Sequence, residues 1–246
     1  MLFRFDESIK KERSCYFKNP PLKTRPQADY TWPMDSTRIL AIRHGETDWN
    51  VNNRIQGQID IGLNAQGLWQ AQQVAQALAD EPLVAIYASD LSRALRTAQH
   101  IASHHRLEVQ TTPLLRERHY GFFEGQTWDE IQQNHPDDAM QWRDRDPQWV
   151  PKDGGESLVM LHQRVQNMVQ AMARPHMGQQ IAWVTHGGVL DILYRMATGQ
   201  DLQKARSWGL RNTAINRLLW TPQGLQLVAW ADERHLDTGV RDEHSA

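Results

Sequence analysis

The 246-residue chain has one cysteine, Cys15, so no disulfide forms within it and thiolate metal clusters are excluded. Nowhere does an apolar run approach the roughly 20 residues that a membrane-crossing helix needs. A dominant charge is missing too. The 27 Lys+Arg are balanced by 29 Asp+Glu, and a net charge of −2 offers nucleic acid no global basic field. There is no Gly-x-x-x-x-Gly-Lys loop, and no arginine stands six residues after Cys15. Those two absences remove the P-loop and the cysteine-dependent phosphatase chemistries. What remains is 40% hydrophobic with ten tryptophans, which is the composition of a folded protein with a real core.

Residues 1–35 stand apart. Arg4, Lys10, Lys11, Arg13, Lys18, Lys23 and Arg25 outweigh the acids there, and Pro20, Pro21, Pro26 and Pro33 break any regular element. No apolar core follows these charges, so the segment does not read as a secretory signal. It reads as a flexible basic extension, or as sequence upstream of a true start at Met34. A domain over 36–232 follows, and a charged, frayed tail is expected over 233–246.

Within the domain, short apolar runs alternate with helical stripes. Ile39-Leu40-Ala41-Ile42, Leu83 to Ala88 and Ile181 to Thr185 read as buried strands, with a further short one at 107–110. A helix capped by Asn64 is expected to reach about Asp80, one carrying Leu91, Ala94, Ala98 and Ile101 follows, and a long one spans about 156–174. Short helices broken at Pro136 are expected over 127–144, a lid-like loop over 146–155, and a helix from Val189 to Thr198. Two period-two runs, 214–220 and 225–231, close the domain as a hairpin. Repeated strand–loop–helix units predict a three-layer α/β/α sandwich with a mostly parallel sheet and an antiparallel pair.

One theme recurs at the strand ends. The first strand delivers Arg43-His44-Gly45, a later one delivers His186-Gly187-Gly188, and Arg93 lies in the first turn after a third. Loops at the C-terminal ends of neighbouring strands converge in such sheets. Arg43, His44, Arg93 and His186 therefore point to one anionic pocket, with the helix after Gly188 aiming its positive end inward. Arg93 and Arg96 both sit where the helix dipole disfavours a cation, which suggests a bound anion. His104-His105 has no partner at metal spacing, so no metal site is expected.

At this point the sequence resembles the histidine phosphatase superfamily, which includes the cofactor-dependent phosphoglycerate mutases. Matching stretches are Arg43-His44-Gly45-Glu46-Thr47-x-Trp49-Asn50, Arg54-x-Gln56-Gly57, and Ser89-Asp90-Leu91-x-Arg93-Ala94-x-x-Thr97. Leu115-Arg116-Glu117, Gly154-Gly155-Glu156-Ser157 and Thr185-His186-Gly187-Gly188 continue the series in order. The resemblance implies His44 as a nucleophile that forms a phosphohistidine, attacking as neutral imidazole. It implies Arg43, Arg93 and His186 as holders of the phosphate oxygens, with no metal and no cofactor. Glu117 would protonate the leaving oxygen and then activate water, a task for a carboxyl group protonated part of the time. Asn50, Gln56, Gly57 and Gly187 are expected to line the substrate pocket with Arg43 and Arg93.

The departures concern which branch the chain falls in. Gly62 stands where the family has proline, Gly188 where mutases have asparagine, and the mutases' adjacent arginine pair is absent. Arg143 and Arg145 are the nearest substitutes. The expected activity is a metal-independent phosphomonoesterase acting on a small phosphorylated metabolite in the cytoplasm, without nucleic-acid or membrane partners. A cofactor-dependent phosphoglycerate mutase is the alternative, and an inactive phospholigand-binding module a third. A homodimer is compatible with the sequence. Trp128, Trp142 and Trp149 are candidate pocket walls or packing in a helical cap.

Overall fold

The computed structural model describes residues 35–237, all within the unit Trp32–Ala246. All of the expected basic extension but Asp35, and residues 238–246 of the expected tail, lie outside the described residues. In chain order the elements are β1 (Thr37–Arg43), α1 (Asp48–Val51), α2 (Ala65–Ala77), β2 (Leu83–Ala88), α3 (Ser92–His105) and β3 (Val109–Thr111). Then come α4 (Trp128–Asn134), α5 (Pro136–Asp144), α6 (Leu158–Ala173), β4 (Gln180–Thr185), α7 (Gly187–Thr198), β5 (Ile215–Thr221) and β6 (Gly224–Asp232).

The sheet has the order β3-β2-β4-β1-β5-β6. Strands β3, β2, β4 and β1 pair in parallel, whereas β5 runs antiparallel to β1 and β6 to β5. Strand side chains alternate between faces, and here they sort into two cores. Ile39, Ala41, Ile181 and Trp183 pack with Leu161, Val165, Met168, Leu190 and Leu193 of α6 and α7. Leu40, Ile42, Ala182 and Val184 pack with Val74, Leu78, Ala94, Ala98 and Ile101 of α2 and α3. Because both faces are covered, β4 is buried at every residue. This is the expected three-layer sandwich. A satellite cluster of Phe123, Ile131 and Ala139, joined by Trp128, Trp142 and Trp149, forms a small helical cap.

Local chemistry sets the boundaries. Asn64 caps α2 by accepting the Gly67 N–H at 2.8 Å, but the helix ends at Ala77, shorter than expected. Ser157 caps α6, which therefore starts at Leu158, the first residue of its apolar stripe and two residues after the expected start. Thr127 and Glu130 make a capping box at α4, and Pro136 opens α5, its missing N–H costing nothing there. Helix α3 lacks a local side-chain cap; Asp60 from a remote loop takes the Ser92 N–H at 2.8 Å instead. The expected strand at 107–110 starts at Val109, because Arg106 adopts a left-handed conformation that ends α3. Residues 233–236 do not fray as expected. Arg234–Leu236 form a 3-10 turn, with Arg234 clasping Asp232 at 2.6 Å.

Candidate active site

β1 and β4 lie side by side with Arg43 opposite Thr185, so His44 and His186 leave adjacent strands at the same level. The His44 N–H donates to Thr185 O at 2.9 Å, and the two imidazole centroids are 5.1 Å apart. Strand β2, on the other side of β4, leads into α3 and brings Arg93 to the same place. Arg43, His44, Asn50, Gln56, Gly57, Arg93 and Glu117 line one cavity of about 180 Å³. Gly187 lines a wider pocket of about 750 Å³ that shares Arg43 and Glu117 with it. His186, whose ring centroid is 5.1 Å from that of His44, is brought to the same place although it lines neither cavity. Arg96 is not brought there: it is exposed, with Gln99 as its partner.

The site is rich in polar atoms that the protein leaves unanswered. Arg43 Nε, Arg93 Nε, Gln56 Oε1 and both ring nitrogens of His186 are buried without a hydrogen-bond partner. An unmet buried polar atom costs about 1–3 kcal/mol, and several at one point mark a place kept for a ligand. Three cationic or imidazole groups and no acid among these atoms fit a phosphoryl group.

His44 is fixed in one tautomer. Its Nδ1 lies 2.7 Å from Gly45 O, which only accepts, so the neutral ring carries its proton on Nδ1. Nε2 is left with a free lone pair. The Gly45 N–H donates in turn to Thr97 Oγ1 at 3.0 Å, and Asn212 Nδ2 donates to His44 O at 2.8 Å. Thr97 is readable as the residue four after Arg93 on one helix face. Asn212 follows no pattern, and the sequence does not reveal it. Asn50 is partly structural: its Oδ1 closes a capping box with Thr47 at the start of α1.

Arg93 is fully buried, and it spends its NH1 and NH2 on Ile59 O at 3.0 Å and Gly57 O at 2.7 Å. Its Nε is buried with no partner in the protein. Gly57 accepts that bond with φ +51°, where a side chain would also collide with Glu124. Its part is to hold Arg93. Arg43 donates to Leu210 O.

Glu117 takes the N-terminus of α7. The Gly188 N–H donates to its two carboxylate oxygens at 2.9 and 3.1 Å, and the Arg118 N–H to Oε1 at 2.7 Å. The positive end of this helix therefore meets Glu117 and not, as the sequence suggests, the anion directly. A Cβ at Gly188 would lie 2.3 Å from Glu117 Oε1, so glycine makes room for this carboxylate.

Burial, and then the neighbouring Arg93 and Arg43, hold the His44 pKa well below its usual value. Burial, Arg93 and His44 do the same to His186. Both rings are thus neutral in the folded protein across the physiological range. Below about pH 6.5 the unfolded chain takes up protons that these two sites refuse. Stability is therefore complete above that pH and falls as the solution is made more acid. Each of His44→Asn and His186→Asn should reduce the acid slope of the unfolding free energy by up to about 1.4 kcal/mol per pH unit. Denaturant titrations from pH 7 to pH 5 measure it, and an unchanged slope in both variants refutes the neutral pair.

The wider pocket has its own cations. Arg118 is 7% exposed, its guanidinium 5.4 Å from the Tyr120 ring centroid and 5.2 Å from that of Trp142. Arg145 and Arg206 line the pocket with it. Arg143 does not, lying instead over Trp128 at 5.9 Å. Of the three tryptophans weighed as walls, Trp142 lines both cavities, whereas Trp128 and Trp149 pack in the cap.

A parallel sheet whose strand ends present a tautomer-fixed imidazole among unmet buried cations defines an α/β enzyme of phosphate chemistry. Residues 39–233 match the family model of the histidine phosphatase superfamily (branch 1), and the chain belongs to that family. A metal-independent phosphoserine phosphatase of Arabidopsis thaliana is 37% identical over 204 residues, 82% of this chain and 84% of that protein. Phosphoglycerate mutase-like protein 4 of the same plant is 37% identical over 214 residues, 83% and 89% of the two chains. The crystal structure of an Entamoeba histolytica phosphoserine phosphatase with 3-phosphoglyceric acid aligns with a TM-score of 0.73 at 28% identity, over 81% and 99% of the two chains. Among the described residues no helix is long and apolar enough to cross a membrane, and no group of His, Cys, Asp or Glu is placed to hold a metal.

Proposed function

We propose that the protein is a metal-independent phosphomonoesterase that hydrolyses a small phosphorylated metabolite through a phosphohistidine on His44. The observation that carries this reading is the fixed His44 tautomer, with Nε2 free beside the unmet donors of Arg43, Arg93 and His186. His44 Nε2 attacks phosphorus in line as the ester P–O bond breaks, and Glu117 supplies the proton to the departing alkoxide. Water, giving its proton to Glu117, then displaces His44 and releases inorganic phosphate. The arginines and His186 bind the equatorial oxygens, where charge gathers in the transition state.

The leaving group departs past Glu117 toward Arg118, Arg145 and Arg206, which favours an alcohol bearing a carboxylate or similar anion. That His44, Glu117 and His186 lie together favours an active enzyme over a module that only binds phospholigands. Relatives of both names match over most of their length, and hydrolysis is preferred to mutase activity because the mutases' adjacent arginine pair is absent and Gly188 stands where mutases have asparagine. The activity is assigned to 36–236, slightly beyond the 36–232 delimited from sequence, since Glu233 and Leu236 line the wider pocket. A single cysteine fits a cytoplasmic setting.

Release of inorganic phosphate from phosphoserine and 3-phosphoglycerate in the presence of a chelator tests the reading. Hydrolysis undiminished by chelator is expected. Conversion of 3-phosphoglycerate to 2-phosphoglycerate with added bisphosphoglycerate, faster than hydrolysis, would reverse the order in favour of the mutase.

A further inference from the structure

Glu117 sits on a segment without a strand ladder, and what holds that segment is side chains. Four consecutive carbonyls, from Leu114 to Glu117, each accept a side-chain hydrogen bond. Three of the four are held by one guanidinium. Arg164 of α6 donates NH1 to Leu114 O at 2.8 Å and Arg116 O at 2.9 Å, and NH2 to Glu117 O at 3.3 Å. Its remaining donors grip Glu156, with Nε 2.7 Å from Oε1 and NH2 2.8 Å from Oε2. All five N–H groups of the guanidinium are thereby used.

Glu156 reaches the far end of the same segment. Its N–H donates to His119 O at 2.7 Å, its carbonyl accepts Arg118 Nε at 2.7 Å, and its Oε2 accepts the His119 N–H at 3.3 Å. None of these bonds goes to Arg43, His44, Arg93 or His186. Apart from the two that join Glu156 to Arg164, every one goes to the stretch on which Glu117 is mounted.

Resting on the phosphatase reading above, we infer that the Glu156–Arg164 pair is a positioning device that sets Glu117 against the leaving oxygen. The planar, five-donor fork is what the task requires, because a lysine there keeps the charge but reaches too few of the carbonyls. This matters as a control, since the Arg164 charge also bears on His186.

The test is the dependence of kcat/KM on the leaving group, which reports P–O cleavage and not the later hydrolysis of the phosphoenzyme. A dinitrophenolate leaves without a proton, whereas an alkoxide needs one. With Arg164→Lys and with Glu156→Gln, kcat/KM for an alkyl phosphate should fall on the order of 10²-fold. For 2,4-dinitrophenyl phosphate the fall should be about 3-fold or less, as general-acid assistance is not needed there. The plot of log kcat/KM against leaving-group pKa then steepens. An equal loss across all esters, or full activity in Arg164→Lys, overturns the inference. If Arg164→Lys does not unfold cooperatively, Glu156→Gln decides alone by the same criterion. Failure of the wild-type protein to hydrolyse any ester would strike the phosphatase reading instead.

Discussion

Replacing His44 with alanine lowers turnover of p-nitrophenyl phosphate by a factor on the order of 10⁵ or more, as expected when a covalent nucleophile is removed. The variant should still fold. It leaves a small cavity beside His186 and frees Gly45 O, a loss of about 1–3 kcal/mol in a domain of this size. Circular dichroism and a cooperative unfolding transition check the fold, and phosphate release checks the activity. His186→Ala is the informative partner. Its ring nitrogens have no protein partner, so nothing fixes its tautomer as Gly45 O fixes that of His44. Acid-labile phosphate should be trapped on the His186→Ala chain and never on the His44→Ala chain. Label on the second, or near-normal turnover by it, would exchange the two roles.

The second large effect belongs to Arg93. Arg93→Met should lower kcat/KM on the order of 10³-fold, the scale for losing a charged donor to the transition state together with some positioning. The loss has two sources. On the proposed mechanism the guanidinium no longer meets the phosphoryl oxygen, and the carbonyls of Gly57 and Ile59 lose the donors that hold the loop carrying Gln56. Methionine keeps most of the buried volume, so the core around α3 stays filled. Inorganic phosphate should raise the wild-type unfolding midpoint, because it binds only the folded chain, and should raise the Arg93→Met midpoint far less. Thermal scans with and without phosphate measure this. Equal protection of the two proteins would remove Arg93 from the phosphate site.

Much of this was legible in the sequence because it is written locally. An apolar run followed by Arg-His-Gly fixes both a buried strand and what its end delivers, and Asn64 and Pro136 mark helix starts by their own backbone chemistry. The residues that escaped act across long separations. Asn212 reaches His44 from 168 positions away, and Asp60 caps α3 in place of a neighbour. Glu156 was visible as part of a motif, but its bonding to the Glu117 segment depends on how α6 packs. The last residues of the described chain are hard to read for a similar reason. Glu233 reads as solvated charge until the fold sets it against Arg211, 22 positions away, at the wall of the wider pocket.

The position of β1 in the sheet carries a consequence for how the protein is made. It is the first strand of the domain to leave the ribosome, yet both of its neighbours, β4 and β5, come from the last third of the domain. During synthesis the strand that bears Arg43 and His44 waits, unpaired and apolar, while some 140 residues are added between Thr37 and Gln180. The bonds from Asn212 to His44 and from the Thr213 N–H to Arg43 O arrive later still. The proposed nucleophile is thus encoded at the start and its surroundings are completed near the end. A chain stopped before β5 has His44 but no finished site to hold it, and an exposed strand that other unfinished chains can pair with.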